Sequence, residues 1–472
     1  MNFLISFIRR YFDDKLFEWV DIVILTVYID ERAYGLNYNK FGTLNMKNYI
    51  ILALLMSGLS AMCQSQKEDL IRILVAPLSD SYEYEVGERA DFEISIFKYG
   101  KLVKNAKINY TIFEEQMKPI IKSSITLKTG QGIIEGIPMD EPGFLRLKVN
   151  YKEKGKIFSN TATAGIEVDK IKSFTQMPAD FDSFWKTAIR EARKIDLNPQ
   201  YTRLPGQDTD KNLAYHVRFN NGKKSYIYGI LMVPKKEGSY PAVLTVPGAG
   251  VRAYNGTNKS DDVISLQIGI HGIPVNLYGS DIYDNLDKGA LYKYYWNRMD
   301  DRDAYYYKRV YTGCVRALDF IHTVEKFDGD NLAVMGGSQG GALAIMTAAL
   351  DDRVDAIAAL YPALSDLDGF NNGRAGGWPR IFETGFNFTE EKRAVARYYD
   401  IVNFARNLKT PGYYAYGYND NIVPASSVTA MLHEIKAKKT VEVAYDAAHW
   451  MYPEIQQQAK KWLFNKIKVS GY

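Results

Sequence analysis

Two patterns of hydrophobic and polar positions divide the chain. From about residue 68 to residue 170, short segments alternate apolar and polar residues, and in "DFEISIF" the side chains of Phe92, Ile94 and Ile96 share one face. Glycine and proline break these segments, and "FKYGKLV" is typical of a hairpin. Alternation of this kind indicates half-buried strands. The region therefore predicts a small antiparallel β-sandwich of immunoglobulin type, suited to a spacer or to substrate docking.

From residue 171 onward, apolar strands alternate with helical patterns. "MPADFDSFWKTAIREARKID" opens this part as a packing helix. The predicted strands are "SYIYGILMVPK", "YPAVLTVPG", "GIPVNLYG", "NLAVMG", "VDAIAALYP", "PGYYAYGYND" and "KTVEVAYD". The predicted helices are "RVYTGCVRALDFIHTV", "GALAIMTAAL", "VTAMLHEIKA" and "PEIQQQAKKWLFNKI". Apolar strands that alternate with helices predict an α/β fold with a mainly parallel, doubly wound sheet.

The segment "MKNYIILALLMSGLSAMCQSQ", residues 46–66, has the pattern of a secretory signal peptide. A charged residue, Lys47, precedes a short apolar run, and small residues follow it. The predicted organisation is an upstream over-call of the start at 1–45, a signal peptide at 46–66, a β-sandwich at 67–170 and a catalytic α/β domain at 171–472. A periplasmic or secreted location follows from this assignment.

Two alternatives for the front of the chain stay open. Cys63 also fits the lipid-bearing cysteine of a bacterial outer-membrane lipoprotein, although residues 60–62, "SAM", match such a signal poorly. The stretch 1–45 could instead be a membrane-associated extension that uses "VDIVILTVYI", but this run is short and Asp21 interrupts it.

Composition excludes several classes of protein. The net charge is +4 over 472 residues, and the basic residues are scattered among acids, so a nucleic-acid partner is not indicated. Two cysteines cannot form a disulfide scaffold. The five histidines lie far apart in sequence and show no metal-ligand spacing. We therefore expect neither a metal ion nor a cofactor.

The stretch "NLAVMGGSQGGALAIM" carries the chemistry. Ser338 is the central residue of a G-x-S-x-G motif, with a predicted strand before it and a predicted helix after it. In such a sharp turn, glycines avoid steric collisions and leave the serine hydroxyl exposed at the edge of the sheet. The context predicts that Ser338 is a nucleophile, and the alternative is a glycine-rich turn used only for close packing.

A serine nucleophile needs a base and an orienting acid. In this arrangement both partners follow later strands, the acid first and the histidine second. Asp420 follows "GYYAYG", and His449 is the only histidine after the last predicted strand. Asp366 and Asp446 are competing acids, but Asp446 is only three residues from His449. The sequence predicts Asp420 as the acid and His449 as the base.

The oxyanion of an acyl-transfer reaction needs backbone donors. One predicted donor is the N–H of Gln339, directly after the nucleophile, and the other is the N–H of Ala249, in the loop after "AVLTV". The same loop contains "GAGVRA", which loosely matches a dinucleotide-binding fingerprint. No acidic residue ends the next predicted strand, as ribose binding would require, so we reject that interpretation.

Four stretches resemble the acetyl xylan esterase/cephalosporin-C deacetylase family, carbohydrate esterase family seven. They are "PADFDSFWKTAIREA", "AYYYKRVYTGCVRALDFI", "VMGGSQGGALAIMTAALDDRVDAIAALYPALSD" and "TPGYYAYGYNDNIVPASSVTA". The likeness runs from about residue 171 to the C-terminus. It implies an α/β-hydrolase fold with Ser338 as nucleophile, Asp420 as acid, His449 as base and Ala249 as an oxyanion donor.

The chain also departs from the family pattern. Residues 278–280 read "YGS" where the family has Arg-Gly-Gln, and residues 247–249 read "PGA" where it has His-Gly-Tyr. His449 is followed by Trp450 instead of Glu. These differences concern the substrate, the pocket walls and the ring-like hexamer of the family, so a homo-oligomer is left open.

The prediction is an exported serine esterase that deacetylates plant polysaccharides or oligosaccharides through an acyl-enzyme. The alternatives are a peptidase or another ester hydrolase of the same fold, and a catalytically inactive glycan-binding protein. Aromatic residues that could line a sugar surface, if they are not packing residues, are Trp296, Tyr305 to Tyr307, Trp378 and Trp450.

Overall fold

The computed structural model describes residues 70–256, 262–383 and 389–469. The predicted signal peptide, Cys63 and the stretch 1–45 lie outside these residues. Among the described residues, no helix is both long and apolar enough to cross a membrane.

Residues 70–166, here called the β-domain, form two sheets. The nine strands are β1 (Ile71–Pro77), β2 (Glu83–Tyr84), β3 (Phe92–Lys98), β4 (Lys101–Leu102), β5 (Ala106–Glu114), β6 (Pro119–Leu127), β7 (Gln131–Ile134), β8 (Gly143–Glu153) and β9 (Lys156–Ile166). One sheet has the order β1-β3-β4 with β7 also paired to β3, and the other has the order β2-β9-β8-β5-β6. Buried apolar side chains from both sheets form one core, so the two sheets pack face to face.

The predicted details of this domain hold where the structure describes them. Phe92, Ile94 and Ile96 are all buried on one face of β3. The hairpin is confirmed by the antiparallel pairing of Lys98 with Lys101. The short β2 pairs with β9 in parallel, and the immunoglobulin type of the sandwich stays a prediction.

The outer face of the five-stranded sheet is partly covered by the rest of the chain. Successive residues of a strand point to opposite faces, and in β8 the odd-numbered Leu145 and Leu147 lie in the core of the β-domain. The even-numbered Phe144 belongs instead to the core of the following domain, and Arg146 is 3% exposed. One face of β8 is thus an interface between the two parts of the chain.

The rest of the chain, here called the α/β domain, is built around one nine-stranded sheet. Its strands are β10 (Gln200–Arg203), β11 (Asn212–Gly222), β12 (Ser225–Pro234), β13 (Tyr240–Thr245), β14 (Ile264–Gly269), β15 (Phe327–Gly337), β16 (Ala356–Leu360), β17 (Gly412–Gly417) and β18 (Lys439–Ala444). Their order is β10-β11-β12-β14-β13-β15-β16-β17-β18. The three pairs β10-β11, β11-β12 and β12-β14 are antiparallel. The five pairs from β14 through β13 to β18 are parallel.

Helices cover both faces of this sheet. They are α1 (Phe181–Arg193), α2 (Ile282–Lys288), α3 (Tyr306–Ile321), α4 (Gln339–Leu350), α5 (Glu390–Tyr399), α6 (Ile401–Asn407), α7 (Ala425–Glu434) and α8 (Pro453–Lys466). In β16, Ile357 and Ala359 face the large core that contains α1, α3, α4, α6 and α7. Ala356 and Ala358 face the smaller core that contains α8. The predicted α/β architecture with a mainly parallel sheet is confirmed.

One predicted strand is wrong. "GIPVNLYG" forms no strand, and the sheet instead takes β14, which begins eight residues earlier and has the sequence "ISLQIG". Ser265 and Gln267 interrupt the apolar pattern of β14, yet both side chains are largely buried. The Gln267 side chain accepts a hydrogen bond from the N–H of Gly256 at 3.1 Å, so this polar residue fastens the loop that precedes the strand.

Candidate active site

Ser338 lies in a strained turn between β15 and α4. Its backbone has φ 58° and ψ −125°, a conformation that costs free energy in a residue other than glycine. A Cβ atom at Gly336 would lie 2.5 Å from the carbonyl of Gly340, and one at Gly340 would lie 2.5 Å from the carbonyl oxygen of Val246. The two glycines therefore permit the close backbone contacts that hold Ser338 at the edge of the sheet.

The structure brings together the three residues that the sequence analysis singled out. His449 Nε2 lies 2.9 Å from Ser338 Oγ, and His449 Nδ1 lies 2.7 Å from Asp420 Oδ2. Because an ionised carboxylate only accepts, the hydrogen-bond network assigns the proton to Nδ1. Nε2 is then free to accept the hydrogen of the serine hydroxyl, which is the geometry required for general-base activation.

Two backbone N–H groups hold the Asp420 carboxylate independently of the imidazole. Its side chain is 2% exposed, and Oδ1 accepts hydrogen bonds from the N–H groups of Ile422 at 2.8 Å and Val423 at 2.9 Å. The other oxygen, Oδ2, is left for His449. The edge of the Tyr361 ring packs against the imidazole, with ring centroids 4.8 Å apart.

The competing acids are occupied elsewhere. Asp366 Oδ1 accepts from the N–H groups of Phe174 and Thr175 at 2.7 and 3.0 Å, and its other oxygen pairs with Arg374. The Asp446 carboxylate accepts from the hydroxyl of Tyr452 at 2.6 Å. Asp420 is therefore the acid that contacts the histidine.

The two predicted oxyanion donors belong to segments that are in direct contact. The loop after β13 touches the N-terminus of α4, because the Gly340 backbone packs on residues 246–248. Gln339 and Ala249 are thus on opposite sides of this contact. A helix N-terminus and unpaired N–H groups favour a developing negative charge, and the role of the two N–H groups stays a prediction.

Sequence reasoning missed the side chain of Gln339, which holds this loop. It is fully buried, and its amide nitrogen donates to the carbonyl oxygen of Pro247 at 3.2 Å. Its amide oxygen accepts from the hydroxyls of Tyr294 at 2.5 Å and Tyr307 at 2.7 Å. The motif residue after the nucleophile therefore fixes the loop that carries the second predicted donor.

His271 holds the far end of the same loop. One ring nitrogen lies 3.2 Å from the carbonyl oxygen of Gly250, which can only accept, and the other lies 2.8 Å from the hydroxyl of Tyr306. Burial lowers the pKa of His271 to about 4, so the ring is neutral near pH 7 and donates through Nε2.

The β-domain holds the loop that carries Asp420. Arg146 donates to the carbonyl oxygens of Tyr418 at 2.6 Å and Asp420 at 3.1 Å. Gln116 donates to the same Asp420 carbonyl at 2.8 Å. Thr163 donates to the side chain of Asn419 at 2.8 Å. Strands β8 and β9 and the turn after β5 thus all bond to one loop of the α/β domain.

Glu115 completes this interface. Its carboxylate accepts from the N–H groups of Ala425 at 2.5 Å and Ser426 at 3.0 Å, at the N-terminus of α7, and one oxygen lies 3.5 Å from Arg146. Burial lowers the pKa of Arg146, and Glu115 opposes that shift. A guanidinium nevertheless stays charged in proteins, so Arg146 is a buried cation beside the Glu115 carboxyl group. Nothing in the sequence pattern of β8 indicates that its outer face is covered.

Among the aromatic candidates for a sugar surface, the structure supports only one as exposed. Tyr305, Tyr306 and Tyr307 are buried in the core of the α/β domain, so the packing interpretation is correct for them. Trp296 and Trp378 pack partly against the same core. Trp450, next to His449, is 44% exposed. Within the described ranges, no group of three or more potential metal ligands occurs.

Comparisons with known proteins place this site in a family. The sheet order and the serine turn define the class as an α/β hydrolase. The sequence model of the acetyl xylan esterase (AXE1) family matches residues 163–466. The acetyl esterase Axe7A of Xylanibacter ruminicola is 35% identical over 402 residues, which cover 84% of this chain and 90% of that protein.

Two solved structures show that the fold of the α/β domain is shared. Acetyl xylan esterase 1 of Thermoanaerobacterium sp. JW/SL YS485 is 21% identical, with a TM-score of 0.54, and covers 64% of this chain and 98% of its own. The acetyl xylan esterase of Paenibacillus sp. R4 is 24% identical, with a TM-score of 0.55, and covers 63% and 98%. The chain belongs to the acetyl xylan esterase family and is a carboxylic ester hydrolase.

Proposed function

We propose that the chain removes acetyl groups from plant polysaccharides or their oligosaccharides by a Ser-His-Asp mechanism. Ser338 attacks the ester carbonyl while His449 takes its proton, and Asp420 orients the imidazole and stabilises its positive charge. The continuous hydrogen-bond chain from Ser338 Oγ through His449 to Asp420, with distances of 2.9 and 2.7 Å, carries this proposal.

The remaining steps follow from the same geometry. The N–H groups of Gln339 and Ala249 bind the tetrahedral oxyanion. Collapse of this intermediate releases the sugar hydroxyl, to which the imidazolium returns the proton, and leaves an acetyl ester on Ser338. A water molecule activated by His449 then releases acetate and restores the serine. The relative Axe7A is an acetyl esterase, which supports the acetyl group, and the acetyl xylan esterase family supports the glycan.

Acetate release from a panel of acetylated glycans tests this function. Purified protein is incubated with acetylated xylan, acetylated xylo-oligosaccharides, 4-nitrophenyl acetate and a chromogenic peptide. We expect acetate from the glycans and the small ester, and none after Ser338→Ala. Hydrolysis of the peptide or of other esters without glycan deacetylation would favour a different hydrolase. Folded protein that binds glycans but turns over no ester would favour an inactive binding protein.

Export and the type of the β-domain belong to the same proposal. The pattern of residues 46–66 supports export to the periplasm or the medium, and the two packed sheets of residues 70–166 are compatible with an immunoglobulin-type sandwich. Mass spectrometry of the protein isolated from its native host separates cleavage near residue 63 from lipidation of Cys63. A homo-oligomer stays open and is tested by light scattering.

A further inference from the structure

A cleft of about 620 Å³ lies where the β-domain meets the loops that carry the acid and the base. The β-domain contributes residues of β8 and β9, among them Lys148 and Asn160, and the α/β domain contributes Asn421 and Trp450. Arg380 lines the same space. We call this space the interdomain cleft.

Two residues that line the interdomain cleft are sequence neighbours of Asp420 and His449. Asn421 directly follows Asp420, and Trp450 directly follows His449. Neighbouring Cα atoms are about 3.8 Å apart. A ligand that fills the cleft therefore lies beside the two loops that carry Asp420 and His449.

The lining suits a neutral ligand rich in hydroxyl groups. Lys148 and Asn421 are exposed and offer donors and an acceptor, and Asp446 adds a carboxylate. Three basic residues and one acidic residue line the cleft, but Arg146 is paired with Glu115 and Arg380 with Glu383. Lys148 and Asp446 remain as one charge of each sign, so no strongly anionic or cationic ligand is favoured. The many polar groups would lose their hydration against an apolar ligand without compensation.

Trp450 adds a flat apolar surface to this polar cleft. Its side chain is 44% exposed, and its ring is supported by an edge contact with Tyr452, with centroids 4.9 Å apart. A large exposed aromatic ring can stack on the apolar face of a sugar while neighbouring groups bond its hydroxyls. The volume of the cleft falls within the roughly 300–1,000 Å³ typical of small-ligand sites. It is larger than an acetyl group alone would occupy.

We infer that the interdomain cleft binds the sugar chain of the acetylated substrate, with Trp450 as the stacking platform and Lys148 of the β-domain as a hydrogen-bond donor. This inference rests on the proposed function and adds a role to it: the β-domain contributes directly to recognition of the glycan. A small ester uses only the serine turn and the oxyanion donors, whereas a glycan also uses the cleft.

The test compares two substrates in each variant. Trp450→Ala and Lys148→Ala are assayed with acetylated xylo-oligosaccharides and with 4-nitrophenyl acetate. We expect the ratio of kcat/KM for the oligosaccharide to kcat/KM for the small ester to fall about tenfold in Trp450→Ala and about threefold in Lys148→Ala, mainly through KM. Because Trp450 is next to His449, Lys148→Ala is the variant that separates binding from damage to the base.

Tyr99→Ala is the matched control, since Tyr99 is a 79% exposed aromatic residue of the β-domain outside the cleft. Its ratio should equal that of the unchanged protein. Equal ratios in all three variants, with an active parent enzyme, would overturn the cleft while the deacetylase function stands. A parent enzyme that hydrolyses 4-nitrophenyl acetate but no acetylated glycan would overturn both.

Discussion

The predicted nucleophile and the predicted acid of this site are held in opposite ways. Ser338 is fixed by its own neighbours, because the glycines beside it let β15, α4 and the loop after β13 approach one another. The Asp420 loop is fixed by Arg146, which lies 274 residues earlier in the chain and in another domain. One half of the site is thus a local motif, and the other half depends on an interface that forms only when two domains pack.

We expect the largest effect when the serine of the local half of the site is removed. Ser338→Ala should lower kcat by about 10⁴- to 10⁶-fold, since no other hydroxyl contacts His449 in the described residues. Steady-state hydrolysis of 4-nitrophenyl acetate measures this change. Ser124→Ala, at an exposed position of β6 in the β-domain, is the matched control and should keep full activity. Residual activity above a hundredth in Ser338→Ala would mean that another group is the nucleophile.

The next largest effect should come from the distant half. Arg146→Met leaves Glu115 as an uncompensated buried charge and frees two carbonyls of the acid loop. We expect a loss of about 3–5 kcal/mol in the free energy of unfolding and a fall in kcat of about tenfold or more. Urea unfolding and hydrolysis of 4-nitrophenyl acetate measure the two quantities.

Two further variants separate positioning from general damage. Arg89→Met changes an exposed arginine of the same domain and should leave both quantities within error. Arg146→Met combined with Glu115→Gln removes both charges, so it should recover stability relative to the single variant, whereas kcat should stay low because the loop is still unfastened. Wild-type kcat in Arg146→Met would show that the acid loop needs no support from the β-domain.

The same contrast explains what the sequence could predict. The strand, the glycines and the serine are adjacent, so their pattern alone indicates the turn, and the order of later strands indicates where Asp420 and His449 follow. Arg146 occupies an outward-facing position in the alternating pattern of β8, and no neighbouring residue in the sequence indicates that the α/β domain covers it. Gln339 was predicted only for its N–H, because the partners of its side chain are distant in sequence.

The misplaced strand has a similar cause. Periodicity detects apolar strands, but the buried face of β14 carries Gln267, whose polar side chain is satisfied by a backbone N–H of a neighbouring loop. The antiparallel strands β10 and β11 also escaped prediction, since residues 200–222 contain many polar positions. Tertiary hydrogen bonds thus allow strands where local hydrophobicity does not indicate them.

A smaller effect should follow from Gln339→Glu, which leaves the backbone N–H in place. A carboxylate cannot donate to Pro247 and would repel its carbonyl oxygen, while the two tyrosine hydroxyls can still donate to it. We expect kcat to fall about tenfold with KM nearly unchanged, because a shift of the loop that carries Ala249 should affect the transition state most. Gln131→Glu, at an exposed position of β7 in the β-domain, is the control. An unchanged kcat would confine the local half of the site to the glycines and the serine.

A pH-dependent effect is predicted for His271, which is hydrogen-bonded to Gly250 in the loop after β13. Its pKa is about 4 in the folded chain and about 6.5 in an unfolded one. Because the unfolded state binds the proton more tightly, the stability contributed by the neutral ring is complete above pH 6.5 and is lost as the pH falls towards 4. The loss attributable to this residue is at most about 3.4 kcal/mol, since the two pKa values differ by about 2.5. His271→Gln should therefore show a shallower fall in the free energy of unfolding between pH 6.5 and 4 than the parent protein, by urea denaturation at each pH. Burial also lowers the pKa of His322, but this residue is exposed, so His322→Gln should change the slope less than His271→Gln does. Parallel curves for His271→Gln and the parent would mean that the ring is not held neutral, and that the loop on the nucleophile side has no acid-sensitive support.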